Sequence, residues 1–501
     1  MKTTLNTSTL FKITALLLII TGGLFALYHL IFDPQPYLNI QEAFFLDTIP
    51  IAFDWVQIGP ISFPIQVDNY LVFQEFKALA PDINLTEAYI YAIIVWLGAV
   101  SILTLLTEFK KTYFIVGGIA WIALLTFSDF NGLNIGGQSA NYPLIILLTA
   151  TLIPLIYFHL WGQGVHLAIK WIIIFLTTFS GLASLIKLSP ISSPELYLAE
   201  HSLTIGFCLA LSWVFWNGHG MLSGIYILLA RANRNLNLNI TVQISIIALL
   251  YIGTLFILLL NLQGEMSLPL PTFSPLFLLI PLGILGWISV GEKVSQSDEL
   301  VSSRSIIKAL YLIGFGLSLW LVYKLKIAGN QPGEELFKHL FVYSQIGFSL
   351  FFYIYLLANF MSVMNSGKAI EKVLYKPYSL VYYHVKIGGL IVILVLTTYT
   401  GGIVGVQANA MTSNVLADYY YQIDKKLEAS ILYENAWMRY RKNPKAQFAT
   451  AQLLFDLKQP TLAKEHLEES LANSPQLENI LLLSDRLHQE NSAFDAIYYL
   501  E

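Results

Sequence analysis

The chain has 501 residues, 56% of them hydrophobic and only 12% charged, about half the charged share of roughly 25% found in ordinary soluble domains. A mean hydropathy of +0.62 over this length excludes a single soluble domain, a disordered chain and a nucleic-acid binder with a basic face, and leaves a lipid bilayer as the main solvent. The net charge of −4 sits wholly at the C-terminal end: from Gln407 onward 9 Lys and Arg stand against 13 Asp and Glu, while the preceding part holds 19 of each sign.

Eleven apolar runs, near 10–31, 88–107, 112–128, 142–161, 167–187, 203–229, 241–262, 274–291, 305–323, 340–363 and 381–405, approach the length of about 20 residues needed to cross a hydrocarbon core as helices. The third and eighth are the shortest. The first run has no small-x-small cleavage site behind it, so it reads as an uncleaved signal anchor. The fold class expected is therefore an all-α polytopic bundle over 1–406, followed by a linker at 407–411 and a soluble domain at 412–501. Cys208, the single cysteine, lies inside an apolar run; it reads as a small core residue and rules out an intramolecular disulfide framework.

The loops alternate in charge. Lys2 and Lys12, Lys110 and Lys111, Arg231 and Arg234, Lys293, Arg304 and Lys308, and Lys368, Lys372 and Lys376 fall on one side. The other side is acidic or neutral, with only 324–338 breaking the pattern. By the positive-inside rule the N-terminus is cytoplasmic and the C-terminus extracytoplasmic, in a bacterial-type inner membrane.

Loop 33–87 is too apolar for a free linker. It carries nine aromatic side chains, eight acidic residues and six prolines. Ile61 to Val67 alternate with period two, while Leu71, Phe76 and Leu79 suit one face of a helix N-capped by Asp68. The plain reading is an amphipathic cap on the outer membrane surface.

Polar residues inside the spans are functional candidates by default. The best cluster is Trp216-Asn217-Gly218-His219-Gly220, where two glycines loosen the helix and let the imidazole reach a neighbouring span. His159, His166 and His384 lie nearer the interface; a b-type haem needs two facing histidines, and solvated interfacial histidines are the plainer reading. His201, with Glu195 and Glu200, lies in an outer loop where it joins the acidic first loop or a metal, though no ligand spacing supports the latter. Asn359, Gln345 and Ser212 suit interhelical hydrogen bonding, and Gly117-Gly118, Gly388-Gly389 and Gly401-Gly402 suit close helix contacts. No Walker, Rossmann or Ser-His-Asp signature is present. No cofactor, metal or oligomeric state is specified.

From about 412 the sequence becomes polar and repeats with a period of 34 and then 33 residues. Ala417, Ala451 and Ser484 share one position; Tyr420, Leu454 and Leu487 a second; Ala429, Ala463 and Ala496 a third; Tyr433, Leu467 and Leu500 a fourth. Small residues recur where paired helices approach, large ones where the pair fills the seam. In these residues, together with Ser470 and Pro475, the tail resembles the tetratricopeptide repeat. The first copy departs from that pattern at Asn443-Pro444, about three residues late. The resemblance implies a concave surface for a protein partner, not chemistry. Ala408-Asn409-Ala410 has the form of a signal-peptidase site, although an uncleaved linker is the preferred reading.

The topology as a whole is similar to that of GT-C-type membrane glycosyltransferases, which take lipid-linked sugar donors. That similarity implies an acidic base or metal ligand in the first outer loop, here Asp33 or Asp68, with Glu75 and Asp82 behind them. The expected function is a membrane scaffold contacting lipids and, through the tail, a protein partner. The alternatives are a GT-C-like transferase and a transporter, the latter lacking visible internal symmetry or buried carboxylates.

Overall fold

The computed structural model describes residues 7–32, 39–79, 81–137, 140–233, 239–264, 273–296, 304–366, 368–376, 379–473, 476–490 and 492–500. Asp33 and Pro475 lie outside them. The apolar runs form helices because in hydrocarbon every backbone N–H and C=O must be satisfied within its own segment. Among the described residues nine helical stretches are long and apolar enough to cross a membrane, and a bent pair would make ten. The chain is thus a multi-pass membrane protein.

The spanning helices are α1 (Thr7–Phe32), α2 (Leu85–Leu106), α4 (Tyr142–Leu160), α5 (Leu167–Leu188), the broken pair α6 (Pro194–Trp216) and α7 (Gly220–Ala232), α8 (Ile240–Gln263), α9 (Leu279–Gln296, after a 3₁₀ turn at Pro275–Leu278), α10 (Arg304–Ile327) and α11 (Gln331–Phe360). The helix α3 (Lys111–Thr126) has 16 residues; at 1.5 Å per residue it reaches about 24 Å, short of a 30 Å core. The axis of the bundle is α10, against which α1, α2, α6 and α9 pack. The apolar window of α10 is 78% buried and that of α1 only 22%, so α10 faces protein and α1 faces lipid. Gly388 and Gly389 on α12 (Tyr383–Tyr399) sit against Phe351 and Phe348 of α11, and Gly117 against Leu106, as close contacts. Gly401 and Gly402 do not: both have positive φ, 66° and 72°, and form the turn at which the chain bends by 81° into α13 (Ile403–Gln422).

Residues 407–411, expected as a linker, lie inside α13, and Ala410 is fully buried there. Helices α14 (Lys426–Arg439), α15 (Pro444–Asp456), α16 (Pro460–Asn473), α17 (Leu477–Gln489) and α18 (Ala493–Leu500) follow, each packed on the one before. Ala417, Ala429, Tyr433, Ala451, Ala463 and Leu467 are completely buried between them, Leu454 is nearly so, and Tyr420 is partly buried.

The first long loop departs most from expectation. It is an antiparallel hairpin of β1 (Ile40–Ile58) and β2 (Ile61–Ala78). The helix expected after Asp68 is absent: Leu71 and Phe76 belong to β2, whose β-branched and aromatic side chains favour a pleated strand, and Leu79 follows its end. The two-residue turn places Gly59 at its first central position with φ 66°, where hairpin turns that match strand twist need positive φ. Strands usually run 3–10 residues. These have 19 and 18, which at 3.3 Å per residue carries the tip roughly 60 Å from the base. The base is gripped by α17, which packs on β2 near Ala78.

Candidate functional site

The tail docks on one face of the membrane domain through a buried polar clamp. Tail helices must leave their polar groups satisfied when they cover other elements, and buried charges persist only when paired. Lys445 of α15 meets the Asp418 carboxylate of α13 at 2.7 Å, both side chains being buried. The same ammonium donates to the Ala328 carbonyl at the end of α10, 2.7 Å away. The Tyr433 hydroxyl donates to Asp418, and burial, with this carboxylate beside it, holds its proton well above the ordinary phenol range. Asn330 donates to the Met411 carbonyl at 3.2 Å, Gln422 to Glu200 at 3.3 Å, and Tyr419 to the Ser192 carbonyl. Glu200 also receives Lys324 of α10 at 3.5 Å.

Asp418, Lys445, Ala328, Glu200 and Lys324 surround a small cavity of about 10 Å³ that Asp82, Asn84 and Glu87 complete. Such a space holds about one water. Two of the carboxylates that converge on this face, Asp418 and Glu200, are each engaged by a lysine, an assembly that fits a joint.

A larger cavity of about 360 Å³ opens beside the clamp, between Lys326, Glu334, Glu335 and Lys338 of the membrane domain and Tyr440 and Lys442 of the tail. Lys338 bridges Glu334 at 2.7 Å and Glu335 at 2.8 Å, and Lys326 reaches Glu334 at 3.0 Å. Burial pushes the Tyr440 phenol up to about 12.

The second polar assembly lies inside the bundle, where α6 stops at Trp216 and α7 begins at Gly220. A helix end leaves its last carbonyls without intrahelical partners and carries partial negative charge. Lys386 of α12 answers both needs, donating to Phe215 O at 3.0 Å and to Trp216 O at 2.7 Å. Asn217 donates to the Tyr311 hydroxyl at 3.0 Å and to Leu282 O at 3.1 Å. It fits because Gly286 faces it: a Cβ there would lie 2.2 Å from the Asn217 amide nitrogen. His219 Nε2 pairs with the Tyr382 hydroxyl at 2.7 Å, and Lys293 Nζ sits 4.5 Å from the centre of the Tyr382 ring. The break joins α9, α10 and α12 in one network.

The other expected site residues do not meet. Asp68 stands on β2 opposite Pro50, ten residues from the base of the hairpin, which at 3.3 Å per residue is roughly 33 Å along the strand. His201 is buried in α6, with Nδ1 2.9 Å from Tyr197 O and its ring stacked on Tyr197. His159 stacks on Phe114 and contacts Thr107 O. Among the described residues no group of three or more His, Cys, Asp or Glu is arranged to hold a metal ion.

Sequence reasoning missed Lys386, Asp418 and Lys445. An ammonium inside the run 381–405 was itself a visible signal. Asp418 and Lys445 carried none, because their surroundings read as an ordinary solvated tail.

Fold and sites together define a polytopic membrane protein with a helical tail clamped to one face and a long hairpin projecting beside it. Compared with known proteins, the chain matches no family model, no curated protein and no solved structure.

Proposed function

We propose that this protein is a non-catalytic integral membrane scaffold whose tail and hairpin lie on the extracytoplasmic side of a bacterial-type inner membrane and gather protein partners there. The alternation of basic and acidic loops supports this orientation. The period of 34 and 33 residues, with its small positions buried between consecutive helices, supports a tetratricopeptide-like tail. The observation that carries the reading is the hairpin. It is held at its base by α17, yet Phe44, Leu46, Tyr70 and Val72 along its length are each at least 65% exposed. Large apolar side chains kept bare on a projection held at its base mark a contact surface.

The test is photo-crosslinking in native membranes from residues placed at Phe44 and Tyr70. The scaffold reading expects discrete protein adducts that disappear when residues 44–74 are replaced by a short turn. A smear of lipid adducts, or none, overturns it. A transferase centred on Asp68 gains no support from a carboxylate exposed on the hairpin. The broken span supports transport as a second reading, since interrupted helices build binding sites near the bilayer midplane. Asn217→Ala and His219→Ala separate the two: a transporter loses function with its adducts intact, whereas a scaffold keeps both.

A further inference from the structure

The outer half of the hairpin has two unlike faces. Side chains alternate along a strand, and the register irregularity between Ala52 and Asp54 leaves Phe53 as the extra residue. It thereby keeps Val56 and Ile58 on the same face as Ile51. Their partners across the ladder are Ile61, Phe63 and Val67, with Ile65 opposite Asp54. The opposite face is mixed, with Thr48, Gln57, Ser62, Gln66 and Asp68 set among Trp55, Pro64 and Tyr70. A ribbon of two strands whose outer half bears so continuous an apolar face is at best marginally stable in water, so a second surface covers that face.

We propose that the cover is the same face of a second copy of this chain, related by a two-fold axis along the membrane normal. Both copies are anchored in one membrane, so such an axis sets their hairpins at one height and matches each face with itself. Charge favours this occupant over a lipid surface. The hairpin holds Glu42, Asp47, Asp54, Asp68 and Glu75 against Lys77 alone, the reverse of what anionic headgroups attract. Of these acids Asp54 lies within the apolar face and Asp47 at its inner end beside Ile49; the two-fold sets each across from β2 of the other copy, at the height of Ile65 and Leu71, so the carboxylates do not meet one another.

The edges point the same way. Pro50 in β1 and Pro64 in β2 each interrupt the row of N–H groups an added strand would use, which favours contact through faces over edges. The area is of the right order as well. Ile51, Val56, Ile58, Ile61, Phe63 and Ile65 are each between 41% and 66% exposed. With Ile49 and Val67 they offer roughly 700 Å² per copy, close to the ~800 Å² that one partner gives to a standard interface. This pairing goes beyond the recruiting role and holds whether or not the tail takes a partner.

The experiment uses the full chain in native membranes with Cys208→Ser. Single cysteines are placed at Ile51, Phe63 and Ile65 on the apolar face, and at Ser62 and Gln66 on the opposite face. They are treated with a bismaleimide of about 10 Å reach, the spacing of packed sheets. The apolar-face cysteines should link two copies of the 56.3 kDa chain and the opposite-face cysteines should not. Phe63→Asp with Ile65→Asp should weaken dimerisation in nanodiscs at least 100-fold by mass photometry, while the thermal melt of the membrane domain stays in place. Equal linking from both faces, linking to lipid or to another protein from Ile65, or a wild-type chain that is monomeric throughout overturns the proposal.

Discussion

Removing one member of the Asp418–Lys445 pair should release the tail from the membrane domain. Both side chains are buried, and Lys445 holds the Asp418 carboxylate and the Ala328 carbonyl at 2.7 Å each. In Lys445→Met the carboxylate remains buried with only the Tyr433 hydroxyl to face it. Breaking a buried pair from one side costs about 3–5 kcal/mol, because the survivor is an uncompensated charge. At 1.4 kcal/mol per decade, that raises the open population of the tail by about two to three and a half orders of magnitude. Hydrogen exchange of α13–α16 in nanodiscs reads this directly, since local opening sets the protection of those amides. Protection in α10 and α11 should not change, which distinguishes tail release from global unfolding. Asp418→Asn combined with Lys445→Met removes both charges and should recover most of the loss. Refutation would be a Lys445→Met tail whose protection stays within threefold of wild type, or a double variant as exposed as the sum of the singles.

Three further outcomes follow from the same contacts. His466 is buried against Trp437, with ring centroids 4.4 Å apart, and burial lowers it to about 4 from 6.5. The folded tail therefore binds fewer protons than the unfolded one between these values, so its stability is complete above pH 6.5 and falls as the pH drops towards 4. The full loss is about 3 kcal/mol. Thermal melts of the full chain at pH 7.5 and 4.5 should show it in the tail transition, and His466→Leu should flatten the dependence. Lys386→Met leaves the Phe215 and Trp216 carbonyls unsatisfied inside the bundle, at about 1–3 kcal/mol; the membrane-domain melt should fall, and an unchanged melt removes Lys386 from its capping role. Gly286→Ala drives a Cβ to 2.2 Å from Asn217, whereas Gly291→Ala has no atom within 4 Å. The first should lower thermal stability by the equivalent of about 1–3 kcal/mol and the second should leave it near wild type.

How much of this was legible in the sequence depends on the range of each interaction. The spans were legible because hydrocarbon imposes one local solution on any long apolar run, and the recurring alanines because a repeat displays its packing rule several times. Gln345 and Asn359 were legible as bonding groups: Gln345 accepts from Tyr251 of α8 at 3.1 Å, and Asn359 binds the backbone of Leu380. Ser212 instead bonds within its own helix, to Cys208 O. The period-two stretch from Ile61 to Val67 gave away one strand. The rest of the hairpin was hidden because Leu71, Phe76 and Leu79 satisfy a helical spacing as well as a strand, and only pairing with β1 decides between them. Lys386 and Lys445 were hidden for another reason. Their partners lie 170 and 117 residues away, at Trp216 and Ala328, and no local pattern encodes a carbonyl that a distant helix end leaves unpaired.

The turn at Gly401-Gly402 connects these observations. Without its left-handed backbone, α12 would continue straight and α13 would not fold across the ends of α6 and α11. The bend puts Asp418 where Lys445 and Ala328 meet it, and the following helices bring α17 to the base of β2. The clamp therefore sets the placement of the hairpin as well as that of the tail. A hairpin of about 60 Å magnifies any tilt at its foot, so even a small rotation of the tail would carry the tip through several ångströms. Buried, doubly satisfied charges at the joint suit this geometry. They contribute little net stability against an apolar substitute, but they bond in few arrangements, and a projecting surface that must meet its partner at a fixed height depends on that restriction.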